Sequence, residues 1–167
     1  MSENYDEMYL AIGKALSHWA SVERSLCELI QRVVGTPAFL PISAAFYTVK
    51  SFSTRLEMTE NAILARAGRG SPLWTEWSKV VGPLKDSSKR RNACAHCAVM
   101  TRAFGTPQEE LVLVDEWLNV ARIDRADMKK FKDKQEEKTL TFAEVKTLPD
   151  EFDRLTAAVQ VVTSFVR

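Results

Sequence analysis

A mainly α-helical, up-and-down bundle of four main helices, with a small β-hairpin inserted before the last one, is the fold this sequence predicts. Three observations predict it. Apolar residues recur at steps of three and four over long runs, and clusters of Gly and Pro end those runs. Between Cys97 and Trp117 the texture changes to β-prone segments around a turn-forming stretch.

The first run is the longest. Tyr5, Met8, Ile12, Ala15, Trp19, Val22, Leu26, Leu29 and Val33 form one heptad-like stripe, stopped by Gly35-Thr36-Pro37. A second pattern follows Pro41, with Ile42, Ala45, Phe46, Val49, Phe52, Leu56, Ile63 and Ala67 at helical spacing before "GRGSP". These read as two long antiparallel helices. Ser71 and Pro72 supply a capping side chain and a first-turn proline for a third helix, whose buried face is Leu73, Trp74, Trp77, Val81 and Leu84. Gly82-Pro83 predicts a kink or a restart within it. "CAVMTRAF", "GTPQEE" and "LVLVDEW" then spell two strands about a turn. The charged region from Asn119 to Lys138 fits either an exposed helix or a loop. Thr141 and Glu144 match a capping box, and Phe152, Leu155, Val159, Val162 and Phe165 or Val166 mark a closing helix that Pro149 bends or delays.

The 167 residues suit a single domain spanning positions 1–167, with 46% apolar and 27% charged residues. No internal repeat or linker divides it. A net charge of +1 gives no whole-molecule field toward nucleic acid or membrane, so any electrostatic recognition rests on local clusters. "MSENYDEMYL" lacks a basic segment followed by an apolar core, and no run approaches the roughly 18 apolar residues of a membrane span. A cytoplasmic protein is expected. Its three cysteines, Cys27, Cys94 and Cys97, form no secreted framework and read as packing thiols.

The stretch richest in chemistry is "RRNACAH", residues 90 to 96. A zinc site there would need a second ligand pair from His18 and Cys27, and packing cysteines explain "CAHC" more simply; no metal or cofactor is called for. A cysteine nucleophile fails on direction, because adjacent helical residues point about 100° apart and neither Cys94 nor Cys97 faces His96. No glycine loop cradles a phosphate.

What remains is polar: Lys85, Asp86, Lys89, Arg90, Arg91, Asn92 and His96. An arginine fork suits a phosphodiester, and an imidazole exchanges protons near neutral pH. Metal-free RNA cleavage needs both functions, the first to stabilise a pentacoordinate phosphate and the second to move protons at the 2′-hydroxyl and the leaving oxygen. Helical geometry sets a condition. Asn92 and His96 are four apart and share a face, whereas Arg91 lies about 140° around the axis from His96. Two copies facing across a twofold axis would bring both groups to one cleft. Against this stands a plainer reading, in which His96 caps the helix end or pairs with Asp86 and the lysines are a solvated face. His18, beside Trp19, reads as structural. Trp19, Trp74 and Trp77 fit core spacing, while Trp117 is uncommitted.

"RNACAH" resembles the R-x4-6-H signature of the HEPN superfamily (higher eukaryotes and prokaryotes nucleotide-binding), in the form with Asn after Arg and Ala before His. The layout is similar too: a long first helix carrying "ALSHWASVERSL", a second helix, the motif late in the third, then a β insertion and a closing helix. The resemblance implies a metal-independent endoribonuclease acting as a homodimer. Arg91 and His96 would be its catalytic pair, with Asn92 assisting. Lys85, Lys89 and Arg90 would be RNA-binding. Arg90 also stands at an allowed spacing, and the following Asn selects Arg91. Cys97 stands where the family often has Gly. The implied partners are RNA, a second copy, and an antitoxin or nucleotidyltransferase-type protein. The rival is a non-catalytic helical module that binds a nucleotide, RNA or a protein.

Overall fold

The computed structural model describes residues 5–103, 105–107, 109–114 and 139–166. Trp117 and the charged region 119–138 lie outside the described residues. The elements are helices α1 (Tyr5–Val34), α2 (Phe39–Thr48), α3 (Phe52–Ala67) and α4 (Pro72–His96), then strands β1 (Ala98–Arg102), β2 (Glu110–Val114) and β3 (Leu140–Thr141), and helix α5 (Phe142–Ser164). The protein is mainly helical with a small sheet before the C-terminal helix.

The chain forms two compact units. One holds residues 1–17 and 89–149, the other residues 18–88 and 150–167. In the second, α1 buries Trp19, Val22, Leu26, Leu29 and Val33, following the stripe read from the sequence. Gly35, at φ 75°, ends the helix by donating its N–H to the Gln31 carbonyl at 3.1 Å, a left-handed turn that costs glycine nothing sterically.

The second long helix of the sequence reading is two helices. Val49 and Ser51 are extended, and the Ser51 hydroxyl accepts the Thr54 N–H at 3.5 Å to start α3. The break reverses the chain, so the expected antiparallel pair is not formed. Contacts climb α1 and α3 together: Trp19 meets Phe52 at 4.7 Å, Glu23 pairs with Arg55 at 3.1 Å, and the Arg66 guanidinium donates to the Val33 carbonyl at 3.1 Å. The two helices therefore run parallel, with α2 as the return leg. Pro41 sits in the first turn of α2, where a backbone N–H has no helical acceptor to lose.

Arg55 secures that junction. It is 8% exposed, and its Nε donates to the Val49 carbonyl at 2.8 Å while the guanidinium lies over Phe46 and Tyr47 at 5.1 and 5.2 Å. Trp19 Nε1 donates to the same Glu23 carboxylate at 3.1 Å. A buried charge on α3 is thus answered by a carboxylate, a carbonyl and two aromatic faces.

Ser71 caps α4 as its sequence predicts, accepting the Trp74 N–H at 3.1 Å. Leu73, Trp77, Val80 and Leu84 are buried along it, as are Ser87 and Cys94 nearer its end; Trp74 and Val81, expected in the buried face, are half-buried. The helix continues through Pro83 to His96 without a restart. Pro149 likewise falls inside α5, which begins at Phe142 and not after the proline. Thr141 and Glu144 form the expected reciprocal cap: the Thr141 N–H donates to Glu144 Oε2 at 2.8 Å, and the Glu144 N–H donates to Thr141 Oγ1 at 3.3 Å.

In the first unit β1 and β2 pair antiparallel, Ala98 opposite Val114 through Arg102 opposite Glu110, and those two end residues form an ion pair. The hairpin gains a third strand, absent from the sequence reading, where Leu113 and Val112 pair with Leu140 and Thr141. Leu111, Val112 and Leu113 are all buried, an uninterrupted apolar run rather than an alternating one.

Candidate functional site

The last two turns of α4 and the residue after them carry the candidate site. Because α4 holds its hydrogen-bond pattern to His96, helical geometry fixes the directions of the side chains. Lys89, Asn92 and His96 follow at steps of three and four, share one face, and are all exposed. Arg91 points elsewhere. It is half-buried, and its Nη1 donates to Asn92 Oδ1 at 3.1 Å, which ties the guanidinium to the exposed face through the asparagine. Its Nε is enclosed and has no hydrogen-bond partner among the described residues. A buried donor left without an acceptor costs about 1–3 kcal/mol, more where the group is charged.

His96 is the final helical residue. Its imidazole has no hydrogen-bond partner among the described residues, so the pairing with Asp86 is not formed. Arg90 is half-buried and engaged in an interaction of its own, as is the exposed Lys89. Lys85 is exposed on α4 within the other unit, where its carbonyl accepts the Ser88 hydroxyl at 2.7 Å. The sequence-derived residues thus divide into Lys89, Arg90, Arg91, Asn92 and His96 in one unit and Lys85 in the other.

Cys94 is 6% exposed, and Cys97 is half-buried just beyond the helix, its N–H donating to the Ala93 carbonyl at 2.9 Å. Burial pushes the Cys94 thiol up to about 11, with the neighbouring Cys97 acting in the same direction; Arg90 and Arg91 pull the other way and do not win. A thiol enclosed and held protonated in this way offers no nucleophile to an outside substrate at neutral pH. Among the described residues no three His, Cys, Asp or Glu side chains gather as ligands for a metal ion.

One titratable pair escaped the sequence reading. His18 Nδ1 and Asp153 Oδ1 lie 2.8 Å apart, joining α1 to α5 across 135 residues of sequence. No local spacing could have announced it. Ser87, buried on α4, similarly donates to Glu151 of α5 at 2.5 Å.

Comparison with family models, with curated proteins and with solved structures finds no match to this chain. No helix among the described residues is long and apolar enough to cross a membrane.

Proposed function

We propose that this chain is a metal-independent endoribonuclease of HEPN type, working in the cytoplasm as a homodimer. The observation that carries the reading is the Arg91–Asn92–His96 group: a half-buried arginine tied through its Nη1 to an asparagine that shares an exposed face with a histidine. A phosphate oxygen is the acceptor such a fork suits best.

Arg91 neutralises the phosphate as negative charge builds on its equatorial oxygens. His96 takes the proton from the 2′-hydroxyl that attacks phosphorus, or returns one to the departing 5′-oxygen. Asn92 sets the guanidinium and offers its amide to the ribose or phosphate. Since Arg91 and His96 diverge by about 140° on one helix, the Arg91 of one copy and the His96 of the other act at a shared cleft. Lys89 and Arg90 hold the flanking RNA backbone, so affinity falls as salt rises. An antitoxin or nucleotidyltransferase-type protein would be the controlling partner.

The rival is a binding module that takes RNA, a nucleotide or a protein without cleaving it. One observation favours it: no described residue orients the His96 imidazole, whereas a working general base is usually held by a third group. The experiment is RNA cleavage by the purified protein in EDTA. Cleavage that disappears in both Arg91→Ala and His96→Ala supports the nuclease. Intact RNA with binding retained supports the module.

A further inference from the structure

We propose that Cys94 and Cys97 are a redox modification site, closing to a reversible intramolecular disulfide that displaces His96. The disulfide stands on the cysteine geometry alone; its effect on cleavage rests on the function proposed above.

All three cysteines are thiols, and two of them sit one turn apart on either side of His96, at the point where α4 ends. Cys97 is one residue beyond the helix and one before β1, fastened to the last turn by its N–H bond to Ala93. Cys97 is half-buried and so partly exposed to solvent, whereas Cys94 is buried. That pairing of an accessible attacking thiol with a sheltered resolving one is what an internal disulfide requires.

Geometry couples the bond to His96. Residues three apart on a helix hold their Cβ atoms about 5–6 Å from each other, and a disulfide needs about 3.5–4.5 Å. Closing the gap of roughly 1–2 Å must tighten or unwind the final turn, which is the turn that carries His96. The pair lies at the C-terminal end of the helix, where the dipole opposes a thiolate. It is therefore suited to a switch rather than to a thiol–disulfide catalyst.

The oxidant is a small-molecule disulfide such as oxidised glutathione. The Cys97 thiolate attacks one of its sulfurs, forming a mixed disulfide and releasing one glutathione. The Cys94 sulfur, giving up its proton, then attacks Cys97 and expels the second glutathione. Two S–H bonds are lost from the protein, one S–S bond is formed, and the oxidant is reduced to two thiols.

The test treats the full-length protein with oxidised glutathione, blocks remaining thiols and maps tryptic peptides. Cleavage after Arg91 and Arg102 leaves both cysteines in the peptide Asn92–Arg102, while Cys27 falls in Ser25–Arg32. Expected is an Asn92–Arg102 peptide lighter by two hydrogens and restored by dithiothreitol, with buried Cys27 unchanged. Cys94→Ser should stop at glutathione on Cys97, and Cys97→Ser should take up none. A Cys97 that remains glutathionylated in the wild-type chain, an interchain bond, or an unreacted pair would each overturn the proposal. With the disulfide in place RNA cleavage should fall at least tenfold and recover on reduction. A protein that forms the disulfide and never cleaves RNA refutes the nuclease reading alone, and one whose oxidised form cleaves at full rate refutes the switch.

Discussion

Replacing Arg55 with alanine should destabilise the unit in which α1 and α3 run side by side. The side chains of Arg55 and Glu23 are 10% and 18% exposed, so little water replaces either partner when the other is removed. The truncation strips the Glu23 carboxylate of its cation, leaving it the Trp19 indole, and removes the donor to the Val49 carbonyl at the α2–α3 junction. Breaking a buried pair from one side costs about 3–5 kcal/mol, and the residual hydration and indole bond of Glu23 place this case near 3. For a chain of this size each kcal/mol lowers Tm by about 2–4 °C, so a fall of roughly 6–12 °C is expected. Glu23→Gln, which keeps an acceptor for Trp19, should cost about 2 kcal/mol, and the double variant should lose less than the sum by about 1–2 kcal/mol. Arg55→Lys keeps the charge but not the Nε bond or the flat stacking on Phe46 and Tyr47, and should fall between. The assay is urea denaturation of the four proteins. A loss below about 1 kcal/mol for Arg55→Ala, or additivity within a few tenths, would refute the reasoning.

Two buried tryptophans should respond differently to phenylalanine. Trp19 donates to Glu23, while Trp77 Nε1 has no acceptor among the described residues. Trp77→Phe sheds an orphaned donor worth about 1–3 kcal/mol and should be the milder change by denaturant midpoint. Ser71→Ala removes the acceptor for the Trp74 N–H and should cost about 1 kcal/mol by the same measurement. At pH 8 iodoacetamide should modify Cys97 well before Cys94, and Cys94 should become reactive only as pH nears 11, read by peptide mass. Because the folded Cys94 thiol ionises above its ordinary range, its contribution to stability is complete at neutral pH and is lost as pH rises from about 9 toward 11.

Much of the architecture was legible because helices announce themselves through period and punctuation. The stripe from Met8 to Val33, the Ser71 cap and the Thr141–Glu144 box are local features, and each appears where its residues stand. The split at Val49 leaves no mark in the apolar pattern, because Val49, Phe52 and Leu56 keep helical spacing across it. The break depends on Ser51 capping forward and on Arg55 taking the Val49 carbonyl. Neither the restart at Pro83 nor the delayed start at Pro149 occurs, because buried residues on both sides hold each helix together. Strand β3 is two residues long, too short for any periodicity. At the site, the sequence named Arg91, Asn92 and His96 but not the bond from Arg91 to Asn92 or the enclosed Nε, which depend on the fold around α4.

The central claim is that Arg91 from one copy and His96 from another act on one phosphate. Mixing Arg91→Ala protein with His96→Ala protein and allowing subunits to exchange tests it most directly. Random pairing makes half the dimers mixed, and each mixed dimer regains one of its two composite sites, so cleavage in EDTA should return to about a quarter of the wild-type rate. If the two groups act within one chain, or do not act on RNA, the mixture will stay as inactive as its parents.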